Sequence, residues 1–236
     1  MRLVRFDDAA AVARAAAERL LAFARERPEA VVAFPTGRTP LPLYAELARR
    51  HAAGDTSLAR IRGFNLDELV LPPSDERSFR SFMERHAWGH TGLDRTRCDI
   101  PDPVASDLGT ECRRYEEAIA AAGGLDLALL GIGADGHVAY NLPGPPVDAT
   151  HVVELPASLA DELGVPPAAR PLRALTMGLG TIGRARRLLV LATGAHKAEA
   201  VRRLRAALAD PAWPATYLAE HAELEVLVDA AAAGDP

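Results

Sequence analysis

Apolar residues follow two alternating patterns along the chain. From residue 7 to 26 they recur at helical spacing, with Asp7 or Asp8 placed to cap the first turn. Val31-Val32-Ala33-Phe34 is then a continuous apolar run of strand length, closed by Pro35-Thr36-Gly37. The periodicity predicts a helix over 42–51, a strand over 61–66, and helices over 77–86 and 108–122. Residues 125–132 (LDLALLGI) are apolar on both faces except at Asp126, as expected of a parallel strand covered by helices. Further strands are predicted over 174–177, 187–192 and 224–228, with a helix over 197–208 between the last two. Short apolar runs alternating with amphipathic helices predict an α/β fold, an open, doubly wound, mostly parallel sheet with helices on both faces. No break in composition divides residues 1–236, so one domain is expected, with 141–146 and 163–171 as long loops inside it. The alanine-rich tail from Ala230 to Pro236 is expected to fray.

Composition narrows the function more than the fold. With 49% hydrophobic and 25% charged residues, the 236-residue chain can bury a full core, and aromatics at 5% offer little stacking surface for bases. Net charge is -5 and the basic residues form no stripe, which argues against a nucleic-acid partner. A phosphorylated small molecule is still compatible, because a few local donors outweigh a distant average field. Cys98 and Cys112 have no CxxC spacing and read as reduced thiols. The N-terminal segment carries acids and arginines where a signal peptide needs an apolar core, and no apolar run approaches the ~18 residues of a membrane span. A cytoplasmic protein without a membrane partner is expected, its oligomeric state left open.

Ligands of open α/β sheets bind beyond the carboxyl ends of the strands, and three polar segments fall at such ends. Pro35-Thr36-Gly37-Arg38-Thr39-Pro40 can aim backbone N–H groups, two hydroxyls and a helix N-terminus at an anion, or can simply connect a strand to a helix. Asn65-Leu66-Asp67-Glu68 follows the second strand, where a carboxylate can act as a general base or merely cap a turn. Gly131-Ile132-Gly133-Ala134-Asp135-Gly136-His137 follows the most buried strand, and Asp135 and His137 are spaced so that the acid can orient the imidazole. A dinucleotide fingerprint is excluded here, because Asn141-Leu142-Pro143-Gly144-Pro145-Pro146 cannot continue the long helix it requires. The remaining histidines show no zinc-ligand spacing, so neither metal nor cofactor is expected.

The order and wording of these segments resemble the glucosamine-6-phosphate deaminase family, which shares its fold with the 6-phosphogluconolactonases. PTGRTP resembles the family's phosphate loop, and FNLDELVLPPSDERSFRSFM, residues 64–83, its FNxDEY segment and the serine-rich stretch after it. ECRRYEEAI, GIGADGHVAYNLPG, LTMGLGTI and GAHKAEAV also fit, so the resemblance runs from about Val31 to Val228. It implies a Rossmann-like, sugar-phosphate-isomerase type of fold. It also implies Asp67 as the base moving a proton between C2 and C1, His137 with Asp135 as the ring-opening pair, and Thr36, Gly37, Thr39 and Lys197 on the 6-phosphate. Glu68 and Asn141 belong to the same motifs.

The sequence departs from that pattern in three places. Leu142 stands where family deaminases carry a glutamate that helps position the histidine, unless Asp148 or Glu154 replaces it. Arg38 takes the place of a second loop glycine and either adds a phosphate contact or points to solvent. The family's phosphate-binding arginine has no secure counterpart, Arg170 and Arg173 being the candidates. The leading expectation is conversion of glucosamine 6-phosphate to fructose 6-phosphate and ammonia. Alternatives are isomerisation of another sugar phosphate, a lactonase-type hydrolysis, or a sugar-phosphate sensor without turnover.

Overall fold

The computed structural model describes residues 1–55 and 58–234. Its elements follow in the order β1 (Arg2–Phe6), α1 (Ala9–Glu26), β2 (Val31–Phe34), α2 (Leu41–Ala52), β3 (Arg62–Asn65), β4 (Asp67–Leu69), α3 (Phe79–His86), β5 (Cys98–Asp99), α4 (Leu108–Ala121) and β6 (Leu127–Gly131). Then come β7 (His151–Glu154), α5 (Ala157–Glu162), β8 (Arg173–Thr176), α6 (Leu179–Gly183), β9 (Arg187–Ala192), α7 (Ala198–Ala206), β10 (Leu224–Asp229) and α8 (Ala230–Ala233).

Seven strands form one parallel sheet in the order β1-β10-β9-β6-β2-β3-β5. The alternation of its side chains explains the helices on both faces. Val32, Phe34, Leu129, Leu189 and Leu227 pack with α1 and α2 in one core. Their neighbours Val31, Ala33, Ala128, Leu130, Val190 and Val228 pack with α4, α6 and α7 in the other. The central strands therefore bury both faces, which is why the sequence reads there as continuous apolar runs and not as alternation. Local chemistry sets the helix starts. Asp8, Ser78 and Asp107 accept from Ala11, Ser81 and Thr110 N–H at the N-termini of α1, α3 and α4.

The expected strands recur with shifts of a residue or two, but β8 lies outside the main sheet. It is the centre of a three-stranded antiparallel sheet, β4-β8-β7, in which Asp67 stands opposite Thr176 and Thr176 opposite His151. The tail is also corrected. Residues 230–233 form α8, with Asp229 as its cap and Ala232 fully buried, because the helix packs back on α7 and β1. Residues 235–236 of that expectation lie outside the described residues. Among the described residues no helix is long and apolar enough to cross a membrane.

Candidate active site

Strand order locates the site. From β2 the chain moves outward to β3 and β5, then returns to place β6 on the other side of β2. A crevice opens where neighbouring strands send their connections in opposite directions, and the β2–β6 pair is such a point. The loop 35–40 follows β2, Asp67 follows β3, the Asp135–His137 turn follows β6, and Lys197 follows β9. Four adjacent strands thus deliver all the main candidates to one end of the sheet.

The loop is built to receive an anion. Gly37 has φ +97°, a left-handed conformation that reverses the chain directly beyond β2. Tyr44 on α2 donates its hydroxyl to the Pro35 carbonyl at 2.7 Å, which ties the helix to the loop. Among the described residues no side chain caps α2, so its first N–H groups lack an internal partner. Lys197 is 8% exposed and donates to Thr39 Oγ1 at 2.8 Å. Burial, with the charge of Arg38 added, lowers its ammonium to about 8.

Asp67 is buried at the start of β4, and Thr36 Oγ1 lies 3.5 Å from its carboxylate. The loop 35–40 and the expected base are therefore neighbours. Burial first, and the Glu68 carboxylate second, push Asp67 up to about 8 against the opposing hydrogen bond from Thr36. Glu68 is fully buried and faces away, accepting from the N–H groups of Leu69, Phe79 and Arg80 at 2.7–2.9 Å.

On the other wall, Asp135 Oδ1 is 2.7 Å from His137 Nδ1 and also accepts the His137 N–H at 3.2 Å. Half-burial pushes Asp135 upward, but its hydrogen bonds with His137 outweigh this and hold it below the usual range. Gly133 makes room for the pair: a Cβ there would collide with both His137 Nδ1 and Asp135 Oδ1. Beyond the histidine, Ala139 takes φ 52°, and the Asn141 side chain donates to the Val138 and Met177 carbonyls at 2.9 and 2.8 Å. Asn141 thus pins this turn to the end of β8. Tyr140, stacked on Phe79, donates its N–H to Thr176 Oγ1 at 2.9 Å.

None of the three candidate arginines is turned into the loop. Arg38 points to solvent and pairs with Glu162 at 3.4 Å, close enough to influence Lys197 but not turned into the loop. Arg170 is held by Asp161 and the Val165 carbonyl. Arg173 lies at the far end of β8 from Thr176, opposite Glu154. Neither expected replacement for the absent glutamate is placed for that role. Asp148 pairs with Arg184, and Glu154 is exposed at the end of β7 remote from Thr176. Leu142 itself packs partly buried against the core. Thr176 and Tyr44 were not singled out in the sequence as site residues. The LTMGLG segment contained the only signal for Thr176, since its role depends on pairing with a distant strand.

Comparison with known proteins supplies the family. The family of glucosamine-6-phosphate isomerases/6-phosphogluconolactonase matches residues 7–227. A glucosamine-6-phosphate deaminase of Bacillus velezensis is 40% identical over 215 residues, covering 89% of each chain. The Giardia intestinalis glucosamine-6-phosphate deaminase 1 is 38% identical, over 90% of this chain and 82% of its own. Among solved structures, a monomeric glucosamine-6-phosphate deaminase superposes with TM-score 0.93 at 35% identity over 99% of both chains. A 6-phosphogluconolactonase from Thermotoga maritima, at 22% identity and TM-score 0.77 over 97% of this chain and 98% of its own, shares the fold. The chain belongs to the glucosamine-6-phosphate isomerase/6-phosphogluconolactonase family.

Proposed function

We propose that this protein converts glucosamine 6-phosphate to fructose 6-phosphate and ammonia. The observation that carries the reading is the buried carboxylate of Asp67, held beside the phosphate loop by Thr36 and raised to about 8. A base for a carbon acid gains from such elevation, and its conjugate acid can return the proton near neutral pH. The relatives named glucosamine-6-phosphate deaminase support the same substrate.

The 6-phosphate is taken by the N–H groups of the loop and of α2, by Thr36 and Thr39, and by Lys197. Binding energy from this remote group positions the reacting carbons. His137, oriented by Asp135, moves the proton between the anomeric hydroxyl and the ring oxygen, breaking the C1–O5 bond to give the open-chain aldehyde. Asp67 removes the proton from C2 while O1 takes one given up by the substrate's ammonium, forming the enolamine; Asp67 then delivers its proton to C1, which leaves a C2 iminium. Water adds to C2, and the C2–N bond breaks to release ammonia and the ketose. No step calls for a metal or a cofactor. The enzyme would act in the cytoplasm, without a nucleic-acid or membrane partner.

Leu142 favours one other reading, an isomerase or lactonase acting on a different sugar phosphate, because it can neither accept a proton nor hydrogen-bond. Incubation with glucosamine 6-phosphate in D₂O, followed by proton NMR and an ammonia assay, separates the two. Fructose 6-phosphate and ammonia appearing together support deamination. Folded protein that releases no ammonia and exchanges no C2 proton overturns it, and hydrolysis of 6-phosphogluconolactone would then identify the alternative.

A further inference from the structure

We infer that Glu68 is a positioning residue for the proton-transfer step, acting as a fixed negative charge and a backbone anchor behind Asp67. The inference rests on Asp67 serving as the base. Successive residues of a strand point to opposite faces, so the two carboxylates on β4 face different surroundings. Asp67 faces Thr36 and the cleft, whereas Glu68 is fully buried and spans to the start of α3. Its Oε1 accepts the N–H groups of Leu69 and Phe79, at 2.8 and 2.7 Å, and its Oε2 accepts that of Arg80 at 2.9 Å.

Those contacts define the ionisation state. Both oxygens accept backbone N–H groups, two of the three at a helix N-terminus, and nothing there accepts a proton from Glu68. Burial is the largest influence and raises its carboxyl overall, while the three N–H groups and Arg80 oppose this and favour the carboxylate form. The same residue therefore does two things. It ties β4 to α3, which fixes the direction of the Asp67 side chain. It also holds a negative charge beside Asp67, which disfavours ionisation of Asp67 and makes it a stronger base once ionised.

The surrounding groups leave Glu68 as the principal fixed charge acting on Asp67. Tyr44 on α2, Tyr115 on α4 and Tyr140 beyond the dyad are all pushed above their usual 10 by burial, so they stay neutral through the working pH range. Arg80 faces Glu68 and not Asp67. Arg38 and Lys197 lie at the phosphate loop, and the Asp135–His137 dyad forms the opposite wall.

The test is a ¹³C NMR titration of the aspartate carboxyls in the free protein, run beside the pH profile of kcat/KM. Asp67→Asn assigns the Asp67 signal. In Glu68→Gln the Asp67 midpoint and the acid limb should move together toward lower pH, on the order of one unit. Glu68→Asp keeps the charge but cannot reach all three N–H groups. Its midpoint should stay near the wild-type value while kcat falls about tenfold, in keeping with lost positioning. A Glu68→Gln protein that is folded, with an unmoved Asp67 midpoint, overturns the inference. So does a Glu68→Asp protein whose midpoint drops as far as that of Glu68→Gln, and a Glu68→Asp midpoint well below wild type overturns it even if the glutamine variant does not fold. The carboxyl titration needs no turnover, so absence of ammonia from glucosamine 6-phosphate would refute the substrate assignment separately.

Discussion

Replacing Lys197 with methionine should make the ligand-free protein more stable and remove its response to phosphate. Lys197 holds an ammonium in a buried position, which lowers its pKa from 10.5 to about 8. At ~1.4 kcal/mol per pH unit, that gap is a burial cost on the order of 3 kcal/mol at pH 7. Methionine removes the cost but also loses the bond to Thr39, worth about 1 kcal/mol. The balance, about 2 kcal/mol, corresponds to a melting temperature higher by roughly 4–8 °C for a chain of this size. The pH dependence fixes the sign independently. Between about 8 and 10.5 the unfolded lysine binds a proton that the folded one has released. Wild-type stability therefore rises with pH across that window, and the advantage of the variant shrinks there. Scanning fluorimetry at pH 7 and pH 10, with and without inorganic phosphate, measures all of this. A variant that melts below wild type at pH 7, or that gains as much from phosphate as wild type does, would refute the reasoning.

Asp67→Asn should abolish exchange of the C2 proton in D₂O while substrate still raises the melting temperature; exchange at the wild-type rate would remove Asp67 as the base. The folded Asp67 carboxyl titrates at about 8 and the unfolded one at 3.8, so wild-type stability falls as pH rises across that window. Asp67→Asn escapes this loss, and its melting temperature relative to wild type should be higher at pH 8 than at pH 5. Gly133→Ala would drive a methyl into the Asp135–His137 pair, and kcat should fall about 100-fold with the melting curve little changed. A normal rate would show that the pair tolerates displacement. Leu142→Glu restores the carboxylate typical of the family deaminases and should raise turnover, at a stability cost of about 1–3 kcal/mol because position 142 packs on the core. An unchanged rate in folded protein would make that carboxylate dispensable here.

The sequence revealed the central strands because parallel strands buried on both faces must be uniformly apolar, as residues 188–192 and 127–132 are. It did not reveal β1, β4, β5 and β7, the edges of the two sheets. These edge strands are short or partly exposed, and they bury too few side chains to leave a pattern. The loops after β2 and β6 were legible as anion and acid–base candidates from residue type and strand position alone. The role of Glu68 was not, since a carboxylate that caps a helix eleven residues further on looks like any surface acid until α3 is in place. Arg38 shows the opposite case. Its type suited a phosphate, but the loop turns it outward to Glu162.

The three-stranded sheet separates the durability of the fold from that of its chemistry. Thr176 stands opposite Asp67 in one ladder and His151 in the other, and its hydroxyl holds the Tyr140 end of the histidine turn. With only three strands, two of them edges, the small sheet should open at lower free energy than the seven-stranded sheet beside it. When Thr176 leaves its register, the carboxylate and the imidazole lose their common reference together. Catalytic competence is therefore a sub-global property of this molecule: amides of β4 and β8 should exchange with solvent well before those of β9 and β6, and heat inactivation should run ahead of melting.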